Sequence, residues 1–333
     1  MKVLVFGAGV IGCYLTHVLC SAGHDVTLLA RGRWKETLEK NGLVLHHHLQ
    51  HRKTVDHPKV IGCIEEGMSF QAAFAVMPCH QMEKILIELG ELDSDILVLV
   101  GNNLHPSRMQ REILHHSKGK KEILFGFQVT AGQRFEEYAV VERLGPSGLD
   151  LGCLHSLPSL ETQDLLTQMF RGTGYGLHWQ RDMEAYLFCH PCAVLPIAYV
   201  AYICSGDLRR STAEQRRQML HAPREAYDAL KQQGIEILPD KDDLFYRPGP
   251  RRLLMRLLYF IMAKSRIGDL VACAHCRNAV SEMEMLDLEF AQLLSGNKGA
   301  QMPVWNALRA QMPSWQELHE TYDHRKGEEH EGL

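Results

Sequence analysis

At 333 residues, 45% hydrophobic and with a formal net charge of −4, the chain is long and apolar enough for two folded cores. Its lysines and arginines are scattered, so nothing points to nucleic acid or an anionic membrane as partner. No apolar run approaches the ~20 residues of a membrane-spanning helix, and the N-terminus enters a strand without a leader pattern, so a soluble, cytoplasmic protein is expected.

The first apolar run, Val3 to Phe6, delivers the chain into Gly7-Ala8-Gly9-Val10-Ile11-Gly12, a GxGxxG spacing followed by helical periodicity through Tyr14, Leu15, Val18 and Leu19. Each glycine has its own reason: Gly7 permits a sharp turn, Gly9 lets backbone approach a pyrophosphate, and Gly12 lets helix and strand pack closely. The unpaired N–H groups of the helix start then face the anion. A second strand at 24–30 ends in Arg31-Gly32-Arg33 with no acid to hold a ribose 2′-hydroxyl. Arg31 offers a planar cationic fork to a 2′-phosphate, with Arg33 or Lys35 adding positive field, so the expected cofactor is NADP(H).

Downstream, His46, His47 and His48, with His51 and His57 nearby, read as a solvated hairpin, because consecutive strand residues point to opposite faces and converge poorly on a metal. Strand-like runs recur at 72–76, 96–100, 122–127 and 138–141, the pattern of a parallel sheet with additions. From Asp182 onward the periodicity is helical, at 213–233, 251–264, 279–294 and 314–322, before a polar, frayed tail at 325–331. The expected class is α/β, with an N-terminal Rossmann-type parallel-sheet domain over 1–180 followed by an all-helical C-terminal domain over 181–333. Ten cysteines lack the dense spacing of a disulfide framework. The pairs Cys189/Cys192 and Cys273/Cys276, each enclosing a histidine, lie in helical patterns and read as buried thiols; no metal is expected.

Asn102 follows directly on the strand ending at Val100, at the end of an α/β sheet where ligands bind, and places an amide donor and acceptor there. Lys2 through Gly12, Gly23-His24-Asp25-Val26 with Arg31, Val100-Gly101-Asn102-Asn103, and Arg277 through Met283 together resemble the ketopantoate reductase family. The resemblance runs over most of the chain and is specific in these stretches. It implies an NADPH-dependent enzyme with a cofactor domain and a helical domain for substrate, a homodimer being allowed, and a place in pantothenate biosynthesis. It further implies that Asn102, with Asn103 beside it, contacts cofactor and substrate in a cleft, and that Glu282 takes part in substrate binding and catalysis.

The chain departs from the family at the helix opening its second half, where the family carries a lysine. Here Tyr186 or Phe188 occupies that place, and no lysine lies between Lys121 and Lys231. A second basic position of the family falls near Met77-Pro78-Cys79-His80 and is not Lys or Arg. Hydride transfer to a carbonyl still requires a proton donor at the oxygen. His190 is the local candidate, with Tyr186 four residues earlier on the same helix face. The expected function is therefore an NADPH-dependent reductase of a small 2-oxo acid. Its alternatives are a non-catalytic NADP(H)-binding redox sensor or regulator, and a reductase of a different carbonyl or imine.

Overall fold

The run Val3–Phe6 has no polar face, which suits a strand covered on both sides, and in a computed structural model of the chain Val3, Leu4 and Val5 are completely buried within β1 (Lys2–Phe6). The structure describes residues 1–128, 130–143, 147–265, 268–295 and 301–322; the tail at 325–331 lies outside them. The chain divides into two compact units, Met1–Glu184 and Ala185–Leu333.

In the first unit β1 leads into α1 (Val10–Ser21), β2 (Asp25–Leu29) and α2 (Gly32–Asn41), then into the hairpin β3 (Leu43–His47) and β4 (Arg52–Asp56) and the short β5 (Lys59–Ile61). The chain continues through β6 (Ser69–Val76), α3 (Cys79–Met82), α4 (Leu86–Glu91), β7 (Asp93–Val100), α5 (Pro106–His115) and β8 (Glu122–Phe127). It ends with β9 (Ala131–Arg134), β10 (Ala139–Glu142), β11 (Gly148–Gly152), α6 (Leu160–Met169) and β12 (Gly176–Trp179). Eight strands form one sheet in the order β12-β11-β8-β7-β6-β1-β2-β5, parallel throughout except between β8 and β11. Phe6 lies opposite both Leu29 and Ala75, so β1, β2 and β6 end level. Strand order reverses across β1, with β2 and β5 on one side and β6 to β8 on the other. Such a reversal opens a crevice at the carboxyl ends of β1 and β6, where open α/β sheets take ligands.

A separate four-stranded sheet, β4-β3-β10-β9, absorbs the strand expected at 138–141 and lies against α1. Its β3–β4 hairpin corrects the solvated reading of the histidines. His48 is exposed and His46 half-buried, stacked on Tyr138, whereas His47 is only 2% exposed. Strand alternation explains the split, because one histidine of three must face inward once the hairpin is covered. His47 Nε2 meets Thr54 Oγ1 at 2.9 Å, and its ring lies 5.0 Å from that of His17, which pairs with Asp56 at 2.7 Å.

The second unit is built on α7 (Met183–Ile203), which begins two residues before it. Contrary to the expectation of no long apolar run, this 21-residue helix is long and apolar enough to cross a membrane. Pro191 and Pro196 punctuate the run in sequence, yet the helix continues through both. Two-thirds of its most apolar window (67%) is buried within the fold, the character of a core helix that is apolar all round. The unit also holds α8 (Ala213–Gln232), α9 (Pro250–Lys264), which packs on α8, the helices Ala274–Asn278, Val280–Ser295 and Pro303–Gln311, and a final helix at 315–322. Pro303–Gln311 had no counterpart in the sequence reading; its proline occupies the first turn, where a missing N–H costs nothing. Asp287, 1% exposed, ties four of these helices together: it accepts from both arms of Arg309, from Trp315 Nε1 at 3.2 Å and from the Tyr199 hydroxyl.

Candidate functional site

The glycine turn sits at the crevice where the strand order reverses. Gly7 adopts φ +119, and a Cβ there would strike the Val76 carbonyl oxygen at 2.3 Å, so the turn presses against the end of β6. Gly9 differs: its backbone is ordinary, φ −74, ψ −177, and a Cβ would meet nothing within 4 Å. Among the described residues nothing requires its missing side chain, and none occupies that space. Gly9 caps α1, whose first turn holds no acid, so Val10 and Ile11 begin a helix with its positive end unopposed, beneath the buried Ala8.

Arg31, exposed, caps α2 and stacks its guanidinium 5.8 Å from the Phe6 ring, at the end of β2 next to the glycine turn. Lys35 is drawn instead to Glu39 at 2.6 Å on the same helix. A cation not picked out in sequence also reaches the turn: Arg134 on β9 lies 5.4 Å over the Trp34 ring and points Nη1 to the Ala8 carbonyl at 3.5 Å. No local pattern announces it, because β9 belongs to the second sheet and meets the turn only through tertiary packing; Gly132 supports that approach, a Cβ there falling 2.8 Å from Val10 Cγ1.

At the next strand ends, Gly101 takes φ +146 with its Cβ position 2.9 Å from the Met77 carbonyl oxygen, so the loops after β6 and β7 also meet. Asn102, 9% exposed, therefore stands at the same edge of the sheet as Gly7. Asn103 has a different employment: Oδ1 accepts from the His105 N–H at 2.8 Å and Nδ2 faces Met109 Sδ at 3.2 Å, an Asx turn that supports the loop. His80 in α3, within the stretch 77–80, holds a buried Nδ1 without a hydrogen-bond partner. An open Gly9, a cationic rim and this orphaned nitrogen fit a phosphate-bearing dinucleotide at the crevice. Cys13 beneath the turn is no nucleophile, since burial pushes its thiol up to about 12.

In the second unit Tyr186 and His190 line one small cavity with Cys189, Tyr227, Leu238 and Asp242. The Tyr227 hydroxyl donates to Asp242, whose burial lifts it above the usual carboxylate range. Burial, with the nearby His275 charge second, pushes His190 down to about 4, so at neutral pH its ring is uncharged. His275 is the neighbour that sequence reasoning passed over; the only hint was its place inside Cys273-Ala274-His275-Cys276. Its Nε2 lies 3.8 Å from Glu282, which sits in the first turn of Val280–Ser295 with its side chain 12% exposed. Cys189, Cys192, Cys273 and Cys276 are all buried, and no group of three or more metal-binding side chains occurs among the described residues.

Residues 3–156 match the family model of ketopantoate reductase PanE/ApbA. A 2-dehydropantoate 2-reductase of Archaeoglobus fulgidus is 21% identical over 243 residues, 69% of this chain and 78% of that protein. Among solved structures, a 2-dehydropantoate 2-reductase from Geobacter metallireducens superimposes with a TM-score of 0.70 at 17% identity, covering 93% of this chain and 98% of the other. D-mandelate dehydrogenase in complex with NADH and anilino(oxo)acetate gives 0.64 at 14% identity, covering 97% and 99%.

Proposed function

We propose, from the match of residues 3–156 to the ketopantoate reductase family model, that the chain is a member of that family and a cytoplasmic NADPH-dependent reductase of a small 2-oxo acid similar to 2-dehydropantoate. The observation that carries this reading is Gly9, a position left empty for something outside the protein, at the reversal of strand order and beside Arg31. Gly7, Ala8, Gly9, Val10, Ile11 and Gly12 would hold the pyrophosphate through backbone N–H groups and the helix end. Arg31 would clasp the 2′-phosphate, and its stacking on Phe6 limits the freedom it loses in doing so. Asn102 would orient the ligand, with Asn103 as its support.

Bound there, the reduced nicotinamide would supply hydride to a carbonyl carbon. Glu282 positions the substrate, and the proton for the carbonyl oxygen comes from Tyr186 or His190. An uncharged His190 gives that proton from a neutral N–H, which is weaker assistance than an ammonium. For that reason the second reading, a non-catalytic NADP(H)-binding sensor, has its own support in the missing lysine and the neutral ring.

The test is loss of reduced-nicotinamide absorbance with a panel of 2-oxo acids that includes 2-dehydropantoate. Turnover of any member is the expected result. Tight NADPH binding without turnover of any would replace the reductase by the sensor, and no binding of either nucleotide would remove both.

A further inference from the structure

A surface helix normally turns its apolar stripe inward, and α9 does the reverse. Of its 15 residues only Tyr259 and Ala263 are buried, whereas Leu253, Leu254, Leu257, Leu258, Phe260 and Ile261 are between 41% and 67% exposed. At about 100° per residue these six span roughly 160° of the helix circumference, opposite the side that carries Tyr259 and Ala263. At roughly 100 Å² exposed apiece they form a patch of about 600 Å², the upper end of what a monomer leaves bare.

The cations of the helix stand at the margins of that patch. Arg256 falls about 40° beyond one edge and Arg251 about 20° beyond the other, with Lys264 at the C-terminal end. All three are exposed, and Arg256 lines one open trough with Pro250, Leu253, Leu254, Leu257 and Phe260. From α8, Arg216 sets its guanidinium 5.9 Å from the Phe260 ring.

The positive charge of this margin is not cancelled by the protein. The helix has four basic residues and no acid. Arg251 donates to the Lys241 carbonyl at 3.2 Å, Arg252 meets His221 Nε2 at 2.7 Å and Lys264 reaches the Arg209 carbonyl at 3.4 Å, so what they meet is two backbone carbonyls and an imidazole, none of them an anion. The acids on α8 and on the turn Asp242–Phe245, both packed against α9, are directed to partners of their own. Glu214 meets Arg217, Asp228 and Asp243 meet Arg247, Asp242 accepts from Tyr227, and Glu225 accepts from the N–H groups of Val304 and Trp305. Cations that are scattered over the chain as a whole thus edge one apolar face.

We propose that α9 is an interfacial helix by which the protein docks on an anionic lipid bilayer, lying in the membrane plane with its leucines, Phe260 and Ile261 among the upper acyl chains. Arg251, Arg256 and Lys264 then reach the lipid phosphates, their stems covering the margin of the apolar band. Apolar burial and attraction to anionic headgroups add in such a contact, and it needs both halves of the pattern. A second copy of the chain laid on the same face would satisfy only the apolar half, because it brings like cations together with no acid between them.

Cosedimentation of the full chain with vesicles tests it. The wild type is expected to pellet with phosphatidylcholine vesicles containing one-third phosphatidylserine, at least tenfold more tightly than with phosphatidylcholine alone, and to lose about tenfold in binding between about 0.1 M and 0.5 M salt. Leu254→Glu/Leu257→Glu should abolish pelleting with an unchanged circular dichroism melt, because both side chains already face water. Should that variant fold poorly, Leu253→Ser, at the most exposed of the six positions, serves, with a loss of about tenfold expected. Arg256→Gln should weaken binding about fivefold, the value of one basic residue near an anionic surface. No pelleting by the wild type, or pelleting indifferent to these variants, overturns the proposal. So does a chain that is dimeric without lipid in sedimentation velocity and monomeric as the double variant, which would assign the face to a second copy. NADPH titration is read separately, so failure of the cofactor reading leaves the vesicle measurement standing.

Discussion

A Cβ placed on Gly12 would lie 1.9 Å from the carbonyl oxygen of Gly7, so α1 and the turn that feeds it touch backbone to backbone. Nothing flexible can move out of the way there. Gly9, two residues from that oxygen, has no neighbour within 4 Å of its absent side chain. The same motif therefore holds one glycine that the fold requires and another, Gly9, that it does not and that is proposed to face the ligand. Gly12→Ala should destabilise the first unit by about 1–3 kcal/mol or more in urea titration. Gly9→Ala should melt as the wild type does and lose NADPH affinity by tenfold or more in a fluorescence titration. A Gly9→Ala protein that binds NADPH normally would refute the assignment of the crevice.

The two guanidiniums at the turn should separate by what they recognise. Arg31→Ala should weaken NADPH by roughly 10- to 100-fold, the value of one or two charge-assisted hydrogen bonds, and leave NADH nearly unchanged. Arg134 faces the Ala8 carbonyl in the turn proposed to hold the pyrophosphate, so Arg134→Ala should weaken both nucleotides together by a smaller factor. Equal binding of NADH and NADPH by the wild type would contradict the role given to Arg31.

His190 and Tyr186 share a cavity, and substitution there should affect chemistry without affecting the nucleotide. His190→Ala or Tyr186→Phe, whichever removes the proton source, should lower kcat by 100-fold or more with the NADPH Kd within twofold of wild type. If both variants turn over as the wild type does, neither group donates the proton.

Much of the cofactor half is legible before folding because its signal is local. Strand, glycine turn, helix and the Arg31 position occur within 31 consecutive residues, and each glycine's reason is steric. Arg134 was illegible for the opposite reason: 126 residues separate it from Ala8, and only the second sheet joins them. His275 gains its interest from contact with Glu282 and its charge near His190, neither of which periodicity encodes. The outward stripe of α9 shows as helical spacing at 251–264, but periodicity does not tell which side of a helix meets the core. Asn103 illustrates the converse, an amide beside Asn102 that is consumed by its own turn.

The buried hairpin histidine should make the fold acid-sensitive in a defined window. Burial is the main cause that pushes His47 down to about 4 from an ordinary 6.5, aided by the charges of His17, Arg143 and Arg52 and opposed by Asp56. Between these two values the unfolded chain binds the extra proton and the folded chain does not, so stability falls as pH is lowered through that range and levels off below it. The loss between pH 7.5 and 5 should be about 2 kcal/mol from this residue. His190 titrates in the same direction in the other unit, so the wild-type slope is a sum. His47→Phe keeps a ring against Tyr14 and His17 while removing the titrating group, and its thermal midpoint should fall less steeply over that interval than the wild type's. Parallel curves for the two proteins would mean that His47 does not titrate as its burial requires.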